Sequence, residues 1–166
     1  MPDQAELVKI ADAITTKLAA AQVAGRFVGL ETFTPVRSYA DWKKDLEELD
    51  ALQVDVVGLS YDECGLDTRG SVGYLCTSHV GVRRWFPSSQ VQSGGRINRD
   101  KIDRLVLFVQ ELNEFFCDLN GRRLDAYPEA AWQATKILTT FNRKHLRDHR
   151  MFFGLLKVSC AVSKGI

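Results

Sequence analysis

The residues able to do chemistry in this chain are three histidines, four cysteines and a scatter of carboxylates, and their spacing decides what they could do. His145 and His149 stand four apart in NRKHLRDHR, so a helix would place both imidazoles on one face, half of a metal site. No third ligand is near in sequence, and Lys144, Arg147 and Arg150 crowd the pair with positive charge, so metal binding is not expected. His79 lies inside a strand-like run and reads as a surface residue rather than a ligand or a base. Asp62, Glu63 and Asp67, in the polar stretch from Ser60 to Gly70, lack the alternating oxygen donors and closing bidentate carboxylate of a calcium loop. They read as a solvated turn. Cys64, Cys76, Cys117 and Cys160 are far apart, with no two-residue spacing of a zinc or redox motif. They are expected to be reduced. Cys76, Cys117 and Cys160 fall within apolar stretches and read as structural, which leaves Cys64 as the one candidate reactive thiol.

Larger constellations are missing as well. There is no glycine-rich phosphate loop, no nucleophile elbow, no two-histidine zinc helix with a glutamate, and no carboxylate pair in apolar surroundings. Nothing favours a catalytic group of Cys64 with His79 or His145. The expectation is a protein that is not an enzyme and takes no cofactor. Arginines are the remaining candidates. Arg83 with Arg84, Arg96 with Arg99, Arg122 with Arg123, and the run from Arg143 to Arg150 would form a phosphate-binding surface if the fold brought them together. Only Trp85 and Phe141 are placed to stack on bases, so any contact with DNA is expected to be non-specific.

Composition sets the frame for these residues. A chain of 166 residues, 45% hydrophobic and 26% charged with 4 Pro, is expected to fold as one soluble α+β domain over 1–166, burying roughly two thirds of its unfolded surface. No run approaches a membrane span, and MPDQAELVKI lacks a basic region followed by an apolar one, so a cytosolic product with no membrane partner is expected. The net charge of +1 conceals a division: residues 1–70 hold 7 Lys and Arg against 13 Asp and Glu, and residues 71–166 hold 15 against 8. These charges either solvate one surface or let the acidic face of one subunit meet the basic face of the next, as in a head-to-tail ring.

The elements that must position these groups are readable from periodicity. Asn98 to Asn120 is the least ambiguous: Ile102, Leu105, Val106, Val109, Leu112, Phe116 and Leu119 recur at steps of three and four. Phe108 and Phe115 widen that face until it needs a sheet beneath it. Asn98 is the expected cap, and Gly121 the expected left-handed stop. An earlier helix runs to about Ala21, with Asp3 and Glu6 as a capping pair, Leu7, Ile10, Ala11, Ile14 and Leu18 on its face, and Gly25 ending it. Strands are expected at 27–39, at the edge or bulged because of Pro35, and at 52–59, 71–86, 131–138 and 151–162. Ala40 to Ala51 reads as a charged connection, and residues 87–97 as a loop. The parity of 71–86 turns Val72, Tyr74, Cys76, Val80 and Val82 toward the helices, and Thr77, His79 and Arg83 away from them. The fold class is therefore α+β: a mostly antiparallel sheet of four to five strands with two main helices on one face, in the order α-β-β-β-α-β-β.

Taken together, ADAITTKL, FTPVRSY, DLEELDALQVDVVGLS, VGVRRWF, IDRLVLFVQELNEFF, RRLDAYPEAAW and HLRDHRMFFGLLKVS resemble, in this order and over nearly the whole chain, the tail terminator (tail completion) proteins of long-tailed bacteriophages. The stretches at 60–70 and 87–97 are longer than that pattern. The resemblance implies a virion neck protein, assembled in the host cytoplasm. It would form a homo-oligomeric ring, six-fold in this family, on the end of the tail tube, halt tube growth and face the head-tail connector. Its partners would be itself, the tail tube protein, the connector or stopper protein, and DNA passing non-specifically through the lumen. On that reading Arg83, Arg84, Arg96, Arg143, Arg147 and Arg150 make ring contacts or face DNA, while Asp45, Glu47, Glu48 and Asp50 lie on the complementary side. The alternatives are a head-side connector or stopper of the neck, and a monomeric adaptor, absent from the particle, that binds a host factor through the same basic surface.

Overall fold

The computed structural model describes residues 4–39, 51–66, 71–87, 91–92 and 96–165. In chain order the elements are α1 (Glu6–Val23), β1 (Pro35–Ser38), β2 (Gln53–Leu66), β3 (Ser71–Trp85), β4 (Val91–Gln92), β5 (Arg96–Ile97), α2 (Arg99–Cys117), α3 (Leu119–Arg122), β6 (Ala131–Thr139), α4 (Arg143–His149) and β7 (Met151–Gly165). Five strands form one sheet in the order β1-β2-β3-β7-β6, antiparallel except for β1, which runs parallel to β2. This is the α+β architecture expected, with α1 and α2 on one face, plus a short β4–β5 ladder and two short helices.

Side-chain parity makes the core. Val54, Val56, Cys76, Val80, Val82, Phe152, Leu156, Val158, Cys160 and Val162 point to one side of the sheet and are buried beneath Ile10, Ile14 and Leu18 of α1 and Phe108, Val109, Leu112 and Phe116 of α2. Each large side chain removed from water contributes about 1.5–3 kcal/mol. At the centre, α2 sits close to β7 because residue 154 is glycine. A Cβ there would stand 2.7 Å from Val109 Cγ2 and 3.0 Å from the Thr140 carbonyl oxygen.

Several boundaries differ from expectation, each for a physical reason. Only Pro35–Ser38 of the 27–39 stretch is strand, because Phe27 and Phe33 turn inward onto α2, their rings 5.1 and 5.3 Å from Phe108. Strand β2 continues through Leu66 instead of giving way to a loop at Ser60; it bulges between Gly58 and Ser60 and again between Glu63 and Gly65, and Tyr61 stacks on Tyr74 across the strand pair at 4.4 Å.

The helix ends differ too. Helix α1 begins at Glu6 with Ala5 as an uncapped N-cap, so Glu6 lies in the first turn rather than closing a capping box; Asp3 lies outside the described residues. Gly25 follows α1 at φ 74°, as expected of a stop. Asn98 caps α2, its side chain accepting from the Asp100 amide. Gly121, however, is not a left-handed stop. Helix α2 ends at Cys117, and Gly121 lies within α3, where a Cβ would collide with the Phe115 carbonyl. Its role is close approach.

Candidate interaction surfaces

Arg83 and Arg84 are adjacent on β3 and therefore point to opposite faces of the sheet. Arg83 projects from the face turned away from α1 and α2, where its Nη2 donates to Asp55 Oδ2 at 2.6 Å; the two side chains are 13% and 5% exposed. Cross-strand register explains the meeting: Gln53 stands opposite Arg83, and Asp55 is two residues along β2 on the same face. Arg84, 10% exposed, donates to Glu31 and to the Trp85 carbonyl, with its guanidinium 5.3 Å above the Phe86 ring. Both arginines are largely buried and paired within the subunit. Their signal in the sequence was charge; their partners come from register and from a turn.

The remaining basic candidates separate. Arg96 stands opposite Gln92 in the β4–β5 ladder. Arg122 lies over the Trp132 ring at 4.7 Å and donates to the Cys117 carbonyl. Arg143, Arg147 and Arg150 do come together, on and just after α4. This helix forms where Asn142 accepts from the His145 amide and ends where Arg150 turns left-handed at φ 51°, ψ 35°. The Arg150 carbonyl then accepts from the Phe86 amide at 2.9 Å, fixing α4 to the end of β3. Arg143, Lys144 and Arg147 are exposed. Arg147 pairs with Asp148 at 2.9 Å, and that hydrogen bond holds the Asp148 carboxyl below its ordinary range. Among the described residues, no acidic group pairs with Arg143, Lys144 or Arg150.

Helix α4 does bring His145 and His149 onto one face, with ring centroids 5.9 Å apart and His145 also 6.1 Å from Phe153. Among the described residues no three metal-ligating side chains converge.

The long strands give these charges an axis. β3 runs from Ser71 to Trp85 and β7 returns from Met151 to Gly165 in full register, so α4 occupies one end of the pair. At the other end β2 and β3 pair Glu63 with Tyr74, and Asp62, Glu63 and Cys64 are exposed. Tyr74, opposite Glu63, stands eleven residues along β3 from Trp85, so the acidic groups lie about 35 Å from the α4 end. The acidic candidates Asp45, Glu47, Glu48 and Asp50 lie outside the described residues.

Sequence reasoning missed the concave patch on the sheet face away from α1 and α2. It is a depression of about 280 Å³ lined by Tyr39, Val57, Leu59, His79, Phe153 and Leu155 around the Asp55–Arg83 pair. The parity of His79 and Arg83 gave its orientation, but nothing in the sequence paired Asp55 with Arg83. Leu59 and Tyr39 are 50% and 76% exposed. Among the described residues no helix is long and apolar enough to cross a membrane.

No protein-family model matches this chain, and no curated protein matches it by sequence.

Proposed function

We propose that this chain is a ring-forming structural protein of a tailed-phage virion, a tail terminator that closes the head-proximal end of the tail tube, stops its elongation and offers a surface to the head connector. Its resemblance to that family suggests the role. The structural observation that supports it is the segregation of charge toward opposite ends of the long strands: the exposed Asp62 and Glu63 toward one end, and the exposed Arg143, Lys144 and Arg147 with the half-buried Arg150 at the other. A closed ring of identical subunits requires two unlike, complementary patches per subunit, and these are such a pair.

The test is the assembly state of the purified protein, alone and on purified tail tubes, by light scattering and negative-stain microscopy at low and high salt. Rings are expected at low salt. Arg143→Glu with Arg147→Glu should disperse them, Asp62→Lys with Glu63→Lys should do the same, and the four changes together should restore them. Assembly untouched by either pair would remove the charge assignment. A monomer under every condition, on tubes as well as alone, would remove the ring.

A further inference from the structure

Cys76 and Cys160 stand directly opposite each other on β3 and β7, the two strands at the heart of the five-stranded sheet. Both side chains are on the core face, 0% and 1% exposed. Directly opposed residues of an antiparallel pair have Cα atoms about 4.5 or 5.5 Å apart, depending on whether the pair shares hydrogen bonds. Either value lies within the about 4.4–6.8 Å range that a disulfide spans. Opposed side chains also leave the same face of the pleat, so the two sulfurs are directed into the same space. Cys64 and Cys117 have no such counterpart: Cys64 is exposed on β2 and Cys117 closes α2.

We propose that Cys76 and Cys160 form a site of covalent modification, a cross-strand disulfide that staples β3 to β7 once the protein meets an oxidising thiol–disulfide environment. The oxidant is a small-molecule disulfide. One cysteine thiolate attacks it and releases a first small thiol, leaving a mixed disulfide; the second cysteine thiolate then displaces a second small thiol as the protein S–S bond forms. Two electrons and two protons leave the protein, carried by two molecules of reduced thiol.

Burial governs the rate. Desolvation pushes the Cys76 thiol up to about 12 and the Cys160 thiol up to about 11, so neither is a nucleophile in the closed sheet at neutral pH. Closure of the bond occurs during folding or after strand opening, which makes it a slow, durable staple rather than a rapid switch. The loop it closes contains α2, α3, β6 and α4, and long loops give the largest loss of unfolded-chain entropy.

The protein is incubated with oxidised glutathione in denaturant just below its unfolding midpoint, returned to native buffer, alkylated, digested and mapped by mass spectrometry. The expected product joins the Cys76 and Cys160 peptides with the loss of two hydrogens, and its melting temperature lies on the order of 10 °C above that of the reduced protein. Cys64→Ser should keep that oxidation-dependent rise, and Cys160→Ala should abolish it, each measured as oxidised against reduced forms of the same variant. Recovery of Cys76 and Cys160 as alkylated thiols, or of either joined to Cys64 or Cys117, overturns the proposal, and the peptide map decides this on the unmodified sequence.

Discussion

Asp55 and Arg83 form an ion pair across β2 and β3 at 2.6 Å, nearly enclosed on the sheet face turned away from α1 and α2. Removing one partner leaves a charge in a poorly solvated place. Asp55→Ala is therefore expected to destabilise the fold by about 3–5 kcal/mol, whereas Asp55→Leu with Arg83→Met is expected to recover most of that loss. Chemical denaturation of the singles and the double gives the coupling. A loss under about 1 kcal/mol in Asp55→Ala would show the pair to be no better than a surface bridge.

Gly154 sets the distance between α2 and β7. Gly154→Ala places a methyl 2.7 Å from Val109 Cγ2 and 3.0 Å from the Thr140 carbonyl, and the expected cost is about 1–3 kcal/mol. Val109→Ala in the same chain should relieve the side-chain clash but not the backbone one. The double variant is thus expected to be more stable than the sum of the two single effects, as read from urea midpoints.

The two core thiols make stability fall in alkali. An ordinary thiol ionises near 9.0, while burial raises Cys76 to about 12 and Cys160 to about 11. A folded-state value above the unfolded one means that the contribution is complete below pH 9. It is lost as pH rises toward 11–12, because only the unfolded chain releases those protons readily. Thermal unfolding from pH 8 to 11 should show this decline, and Cys76→Ala should flatten it. Iodoacetamide at pH 8 should label Cys64 first and leave Cys76 and Cys160 unmodified until the chain unfolds.

Arg150 holds a left-handed conformation after α4 at φ 51°, where glycine carries no steric penalty. Arg150→Gly is expected to raise the melting temperature by a few degrees while removing one of the cations from the basic end. Stability and ring formation should then move in opposite directions. If both rise, Arg150 is not a contact residue.

Local rules made much of this fold legible. The helical repeat of Leu105, Val109, Leu112 and Phe116 and the strand parity of Val80, Val82, Phe152 and Leu156 each depend on near neighbours, and they identified the core face. What was not legible depends on distant partners. Phe27 and Phe33 looked like strand residues until Phe108 drew them inward, and Asp62 and Glu63 looked like a loop because a strand wet on its side chains lacks apolar alternation. The partners of Arg83 and Arg84 are distant in the same way: Asp55 reaches Arg83 through cross-strand register, and Glu31 reaches Arg84 from the irregular stretch before β1.

The most direct test of the central claim is to disable this gene in its source genome, a tailed phage on the terminator reading, and examine the particles made by electron microscopy. The terminator reading predicts full heads beside free tails of uncontrolled length. Heads that lose DNA beside tails of normal length would contradict it in favour of a head-side connector. Normal infectious particles would contradict any structural role in the virion.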